Sequence, residues 1–305
     1  MIATLGHVAF QVTDLGRSVR HACEVLGLRE TERRNGTVFL SHGPRQHALE
    51  YREGPVTCLD HVALQASTSD ALDAVAQRLE AAGVSTTSGP DDPFVERAIR
   101  FRMESGHTFD VFLPTTDAMT GYAVQGQPPR VPPGVSPRQV GHVNLNFGDL
   151  PAARALFVDV LGFRESDIIV DPDGNDLVYF LRCGAAHHTV GLASGPDGHF
   201  HYAFQVDTVQ DLVRLGDAVS ASDNQLLWGP GRHGPGDNVA TYHAEPSGVL
   251  IEYFAEMQLI FDDRWQPRTW SIADSRTNNI WGPSVDVGPL FEKSIPVAVA
   301  ERVTV

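Results

Sequence analysis

A chain of 305 residues, 42% hydrophobic and 20% charged, has the composition of an ordinary globular protein and the length for two domains of usual size. Its formal net charge of −15 argues against nucleic acid and anionic membrane as partners, and no apolar run approaches the ~20 residues of a spanning helix. Cys23, Cys58 and Cys183 lack metal-type spacing and the opening MIATLGHVAFQV has no basic stretch of a signal peptide, so reduced thiols and a cytoplasmic location are expected.

The first strand is GHVAFQV, which holds His7. Leu15, Val19, Cys23 and Leu26 recur at helical spacing from Asp14 to Leu26, and Gly27 stops that helix. TVFLSHG and HALEYRE read as short strands. The plan returns with the strand DHVALQA, which holds His61, a helix from Asp70 to Ala82 stopped by Gly83, and strands ending in TFDVFLP. Residues 116–138, with GQPPRVPPGVSPRQ, read as a linker. GHVNLNF restarts the plan, a helix follows from Pro151 to Leu161, and Gly162 ends it. A fourth copy occupies residues 199–257, with a helix near Val209 to Ser220. Four βαβββ units predict an α+β fold, paired into two barrel-like domains at residues 1–115 and 139–257. Residues 258–305, with Trp265, Trp270 and Trp281 among polar residues, follow neither period and read as a strap packed on the barrel surface.

The most informative stretch is RHGPGDNVATYHAEPSGVLIEY, from Arg232 to Tyr253. It reads as a hairpin: Asn238 to Ala244 is strand-like, EPSG turns, and Val249 to Phe254 is strongly apolar. Glu252 is the one carboxylate in that apolar strand, and a buried carboxylate is costly unless it is paired or binds a metal. Alternation puts His142, Asn144 and Asn146 on one face of GHVNLNF, and His201, Ala203 and Gln205 on one face of HYAFQV. Two imidazoles and one carboxylate from three strands form the facial set that holds a non-haem Fe(II) and leaves positions open.

These residues, with the His187–His188 pair, His233 and Tyr242, give the chain a resemblance to the type I extradiol, ring-cleaving catechol dioxygenases of the vicinal oxygen chelate superfamily. The resemblance covers nearly the whole chain. It implies His142, His201 and Glu252 as ligands of Fe(II), with Mn(II) admitted by the same donors, and a catecholic substrate and dioxygen as reactants. It implies His188 as the acid–base group, Tyr242 as a hydrogen-bond partner of the bound catecholate and His233 as a supporting or substrate-contacting residue. His187 is expected to alternate away from the pocket, and Asp237 to orient Tyr242 or an imidazole. A homo-oligomer is expected.

The N-terminal half keeps a parallel set, His7, His61 and Asp110, with His47 in the place of His188. Arg100 stands where the C-terminal half has Tyr242, and a guanidinium there pairs with Asp110 and opposes a cation. That half is therefore expected to be catalytically vestigial. Metal lyases and isomerases such as glyoxalase I, and metal-free binding proteins, share the fold and are the alternatives.

Overall fold

Four times the chain runs strand, helix and three strands. A computed structural model describes residues 1–43, 47–90, 92–93, 95–115, 134–222, 224–282 and 288–299. The first unit is β1 (Ile2–Val12), α1 (Leu15–Glu24), β2 (Arg29–Arg34), β3 (Thr37–Ser41) and β4 (Leu49–Glu53). The second is β5 (Cys58–Ala66), α2 (Ser69–Ala81), β6 (Thr86–Ser88), β7 (Val95–Arg102) and β8 (Thr108–Pro114). The third is β9 (Gln139–Phe147), α3 (Leu150–Ala155), β10 (Arg164–Val170), β11 (Asp176–Arg182) and β12 (Val190–Ser194). The fourth is β13 (Gly198–Gln205), α4 (Val209–Ala221), β14 (Trp228–Arg232), β15 (Val239–Ala244) and β16 (Leu250–Ala255). The α+β plan expected from the repeats is borne out.

Within every unit the first strand pairs in parallel with the last, as β1 with β4 and β13 with β16. Units then join through their first strands, β1 antiparallel to β5 and β9 antiparallel to β13. The result is an eight-stranded sheet from the first two units and a nine-stranded sheet from the last two units and one strand of the segment after them. This topology brings the histidine-bearing strands to the middle of each sheet, beside the strand that carries an acidic residue. Register shifts at Leu5/His7 and His199/His201 bend these central strands, as bulges do.

Local chemistry sets the element ends. Asp14, Thr68 and Asp149 each accept a hydrogen bond from a backbone N–H of the first helical turn, and Thr208 forms a capping box with Asp211. Gly27 ends α1 at φ +67°, and a Cβ there would lie 2.6 Å from the backbone nitrogen of Ser136. The third helix departs from the expected single helix over Pro151 to Leu161. It starts at Leu150, and its last turn, Leu156–Val160, is wound as a π-helix. The wider turn buries both Leu156 and Phe157, and Phe157 packs edge-on against Phe109 of the first sheet at 5.4 Å.

One core runs through both sheets. Phe10 and Tyr51 meet Tyr202 there, and the Tyr253 hydroxyl donates to the Leu26 carbonyl at 2.7 Å. Most of the expected linker, residues 116–133, lies outside the described residues; Val135, near the linker's end, is buried. The tail was expected to lack strands, yet Arg268–Ser271 forms β17, parallel to β10 at the edge of the second sheet. Four residues are too few for alternation to register in the sequence. Further on, Ile295 bridges to His199 and Val297 to Leu59, so the tail touches both sheets. Among the described residues no helix is long and apolar enough to cross a membrane.

Candidate metal centre

In the second sheet, β9 and β13 run antiparallel with His142 opposite Ala203, and β16 sets Glu252 beside the same Ala203. Three side chains from three adjacent strands thus converge on one face. His142 Nε2 lies 3.2 Å from His201 Nε2 and 3.1 Å from Glu252 Oε2, and His201 Nε2 is 3.0 Å from that oxygen. Donor atoms at right angles and ~2.1 Å from a common centre sit ~3.0 Å apart, so the trio has the spacing of three cis positions of an octahedral ion. All three side chains are buried. Gly141 permits the packing: a Cβ there would lie 2.5 Å from Phe254 Cζ, and the Phe254 ring covers His142 at 5.0 Å.

Electrostatics suits a cation. Burial alone would raise the pKa of Glu252, but the two imidazoles hold it well below the usual carboxylate range. Burial likewise lowers His201, against the pull of Glu252, and so favours the neutral, metal-binding imidazole. Asn238 Nδ2 donates to Glu252 Oε1 at 2.9 Å and the Tyr242 hydroxyl donates to Oε2 at 2.6 Å, which fixes the carboxylate plane. The donor set, spacing and burial fit a divalent ion of the Fe(II) or Mn(II) kind.

His188 stands over this trio with its ring 4.3 Å from that of His142. It sits just before a strand rather than on one. Arg182 to Thr189 make a tight connection, closed by the Thr189 amide on the Leu181 carbonyl at 2.7 Å, and β12 begins only at Val190. His187 lies in the same connection rather than on an outward strand face. Its Nδ1 is 3.0 Å from His188 Nδ1, and its Nε2 approaches Asp167 obliquely at 3.1 Å. Asp167 is wholly buried and receives Arg268 at 2.8 and 2.7 Å and Trp270 Nε1 at 2.9 Å. Burial lowers His188 well below the usual histidine range, helped by His142 and His187, so it is neutral at pH 7.

His233 stacks on Trp228 at 4.8 Å, with Nδ1 2.9 Å from the Asn278 carbonyl oxygen and Nε2 3.2 Å from the Tyr242 hydroxyl. Tyr242 itself is spent on Glu252 and His233. Asp237 does not orient either group. Its backbone is left-handed, at φ +55°, and its exposed carboxylate lies 3.6 Å from Arg232. The neighbouring Asn238 does the orienting instead, which the sequence reading missed. Asp167, Trp228 and the role of His187 were missed as well.

A cavity of about 90 Å³ opens on the trio, lined by His188, His233, Asn144 and an apolar wall that includes Phe180, Phe200 and Phe291. No lysine or arginine side chain lines it among the described residues.

Paired βαβββ units curved around a buried cluster of two histidines and one carboxylate are the class that fold and site define. The chain belongs to the Glyoxalase/Bleomycin resistance protein/Dioxygenase superfamily, whose family model matches residues 4–111 and 139–253. It is 28% identical over 305 residues to a manganese-dependent 2,3-dihydroxybiphenyl 1,2-dioxygenase of Geobacillus genomosp. 3, covering 94% of this chain and 96% of that one. A metapyrocatechase of Pseudomonas sp. (strain CF600) is 28% identical over 279 residues, covering 88% and 91%. Among solved structures, homoprotocatechuate 2,3-dioxygenase from Arthrobacter globiformis superposes with a TM-score of 0.84 at 24% identity, covering 98% and 93%, and shares the fold. The resemblance drawn from the motifs is borne out.

Proposed function

We propose that the chain is a ring-cleaving dioxygenase that opens a catechol beside its two hydroxyls, at a cation held by His142, His201 and Glu252. The observation that carries this reading is the trio itself, whose donor atoms converge beside a cavity that also holds a neutral histidine. Fe(II) is the proposed metal and Mn(II) the alternative, since imidazole and carboxylate suit both. Bound there, the metal supplies the path by which electrons pass from the catecholate to dioxygen.

The chain's own residues position and move protons. His188 Nδ1 is taken up by His187, which leaves Nε2 as the nitrogen available to the cavity. Being neutral, it can accept the proton of an incoming catechol hydroxyl and return it to oxygen later. Asp167 and His187 keep that ring in one orientation. Asn238 and Tyr242 hold Glu252 in place, and Tyr242 and His233, bonded to each other, line the cavity beside the trio. Phe180, Phe200, Ile169 and Val178 exclude water around a flat ring. The division proposed with this activity gives ring cleavage to residues 139–257 and no part in it to residues 1–115, with residues 258–305 as the covering strap. The protein is expected to work in the cytoplasm, as a homo-oligomer.

Among the described residues the wall carries no Lys or Arg, so the ring taken is a catechol with apolar substituents or none. A carboxylate on it would be buried without a partner, which costs enough to lower kcat/KM by roughly 100-fold. Aerobic incubation of the Fe(II)-loaded protein with catechol, 3-methylcatechol and a carboxymethyl catechol tests both points. Yellow ring-opened products from the first two are expected. Turnover of none of them would refute the activity, and preference for the acid would refute the reading of the wall.

A further inference from the structure

The first sheet contains a second cluster, and it reproduces the first ring for ring. His7 on β1 and His47 have ring centroids 4.3 Å apart at 49°, where His142 and His188 are 4.3 Å apart at 53°. His7 and His61 on β5 are 5.3 Å apart at 84°, where His142 and His201 are 5.4 Å apart at 82°. Only the carboxylate differs. Asp110, the counterpart of Glu252, has both oxygens on Arg100 at 2.7 Å, as the sequence led one to expect. That pair is neutral as a unit, and it takes Asp110 out of the set.

A different carboxylate has entered. Pairing of β1 with β4 puts Glu50 opposite Ala9, and the same pairing of β9 with β12 puts Gly191 opposite Asn144. The two halves have exchanged a small residue and a polar one across the strand pair. In the second sheet the Asn144 amide fills the space, since a Cβ on Gly191 would lie 2.8 Å from its nitrogen. In the first sheet Ala9 leaves that space to Glu50. Glu50 Oε1 lies 2.9 Å from His7 Nε2 and 2.9 Å from His47 Nε2, and His7 Nε2 lies 3.2 Å from His61 Nε2. These are again the ~3 Å separations of cis ligands around one ion.

A hydrogen-bonded network would account for the distances only if N–H groups aimed at the carboxylate. They do not: Glu50 Oε1 and both ring nitrogens of His47 are buried with no hydrogen bond of proper geometry. The donor atoms crowd one point, where only His7 Nε2 and His61 Nε2 meet with hydrogen-bond geometry. His61 Nδ1 meets Asp60 Oδ2 at 2.8 Å, the contact that orients metal-bound imidazoles. Asp92 completes a group of four with His7, Glu50 and His61, their donor atoms all within 4.8 Å of one another.

We propose that this cluster is a second metal site, in which His7, Glu50 and His61, with Asp92 as a fourth donor, hold a first-row divalent cation. Its imidazole and carboxylate donors suit ions from Mn(II) to Zn(II). The site ties β1, β4 and β5 of the first sheet together, and it does not depend on ring cleavage.

Metal-free full-length protein is saturated with Co(II) under nitrogen, desalted, and its cobalt counted by mass spectrometry. Two equivalents per chain are expected, falling to one in Glu50→Gln, with His142→Ala also keeping one and the double variant none. His7→Asn, with circular dichroism to confirm folding, repeats the test should Glu50→Gln not fold. One equivalent in the parent chain, or two retained in both Glu50→Gln and His7→Asn, overturns the proposal. Loss of cobalt in His142→Ala bears on the ring-cleavage site alone, so the two readings fail separately.

Discussion

Replacing His142 with alanine removes one equivalent of metal and, with it, ring cleavage. The cluster supplies three donors, and Glu252 is buried with its Oε2 3.1 Å from His142 Nε2 and 3.0 Å from His201 Nε2. Without His142, Glu252 and His201 remain as a two-donor site, too few to compete with water for Fe(II). Catechol and dioxygen then have no shared centre, and turnover falls by ~10³ or more through lost proximity alone. Metal analysis and oxygen uptake on the same preparation check this. Unchanged metal, or turnover in rigorously metal-free protein, would remove the trio from the account.

His188→Phe separates chemistry from metal binding. His188 touches the trio by ring contact with His142, and its hydrogen-bond partner is His187, not a trio residue. The variant should therefore keep its metal and still bind catechol without oxygen, while turnover falls by ~10²–10⁴, the usual contribution of an acid–base group. Asp167→Asn leaves the ring in place but removes the charge behind His187, and should cost roughly 10-fold with metal retained. Metal loss in His188→Phe would make it a ligand. Normal turnover in that variant would pass the proton transfer to His233 or Tyr242.

What the sequence made legible was whatever local period controls. Alternation in GHVNLNF and HYAFQV identified the faces of His142 and His201, and caps and glycines placed the helices. Two neighbouring residues in the hairpin mark the limit. Asp237 and Asn238 are equally plausible partners in sequence, and the left-handed backbone at Asp237 sends its carboxylate outward and Asn238 inward. Partners brought by parallel or distant strands left no trace. Glu50 reaches His7 only through the β1–β4 register, and Asp167 meets Arg268 through an edge strand contributed by the tail. His188 lines the cavity from a tight connection that ends at Val190, and nothing local in the sequence marks where that connection becomes a strand.

The central claim is that this chain inserts dioxygen into a catechol at the His142–His201–Glu252 site. The most direct test is one experiment under ¹⁸O-labelled dioxygen, with Fe(II)-loaded protein, 3-methylcatechol and no added reductant. One dioxygen should be consumed per ring opened, with both labelled atoms entering the product before any exchange of its aldehyde or keto oxygen with water, and none of this in Glu252→Gln. A product carrying no label, or ring opening that persists in Glu252→Gln, would contradict the account.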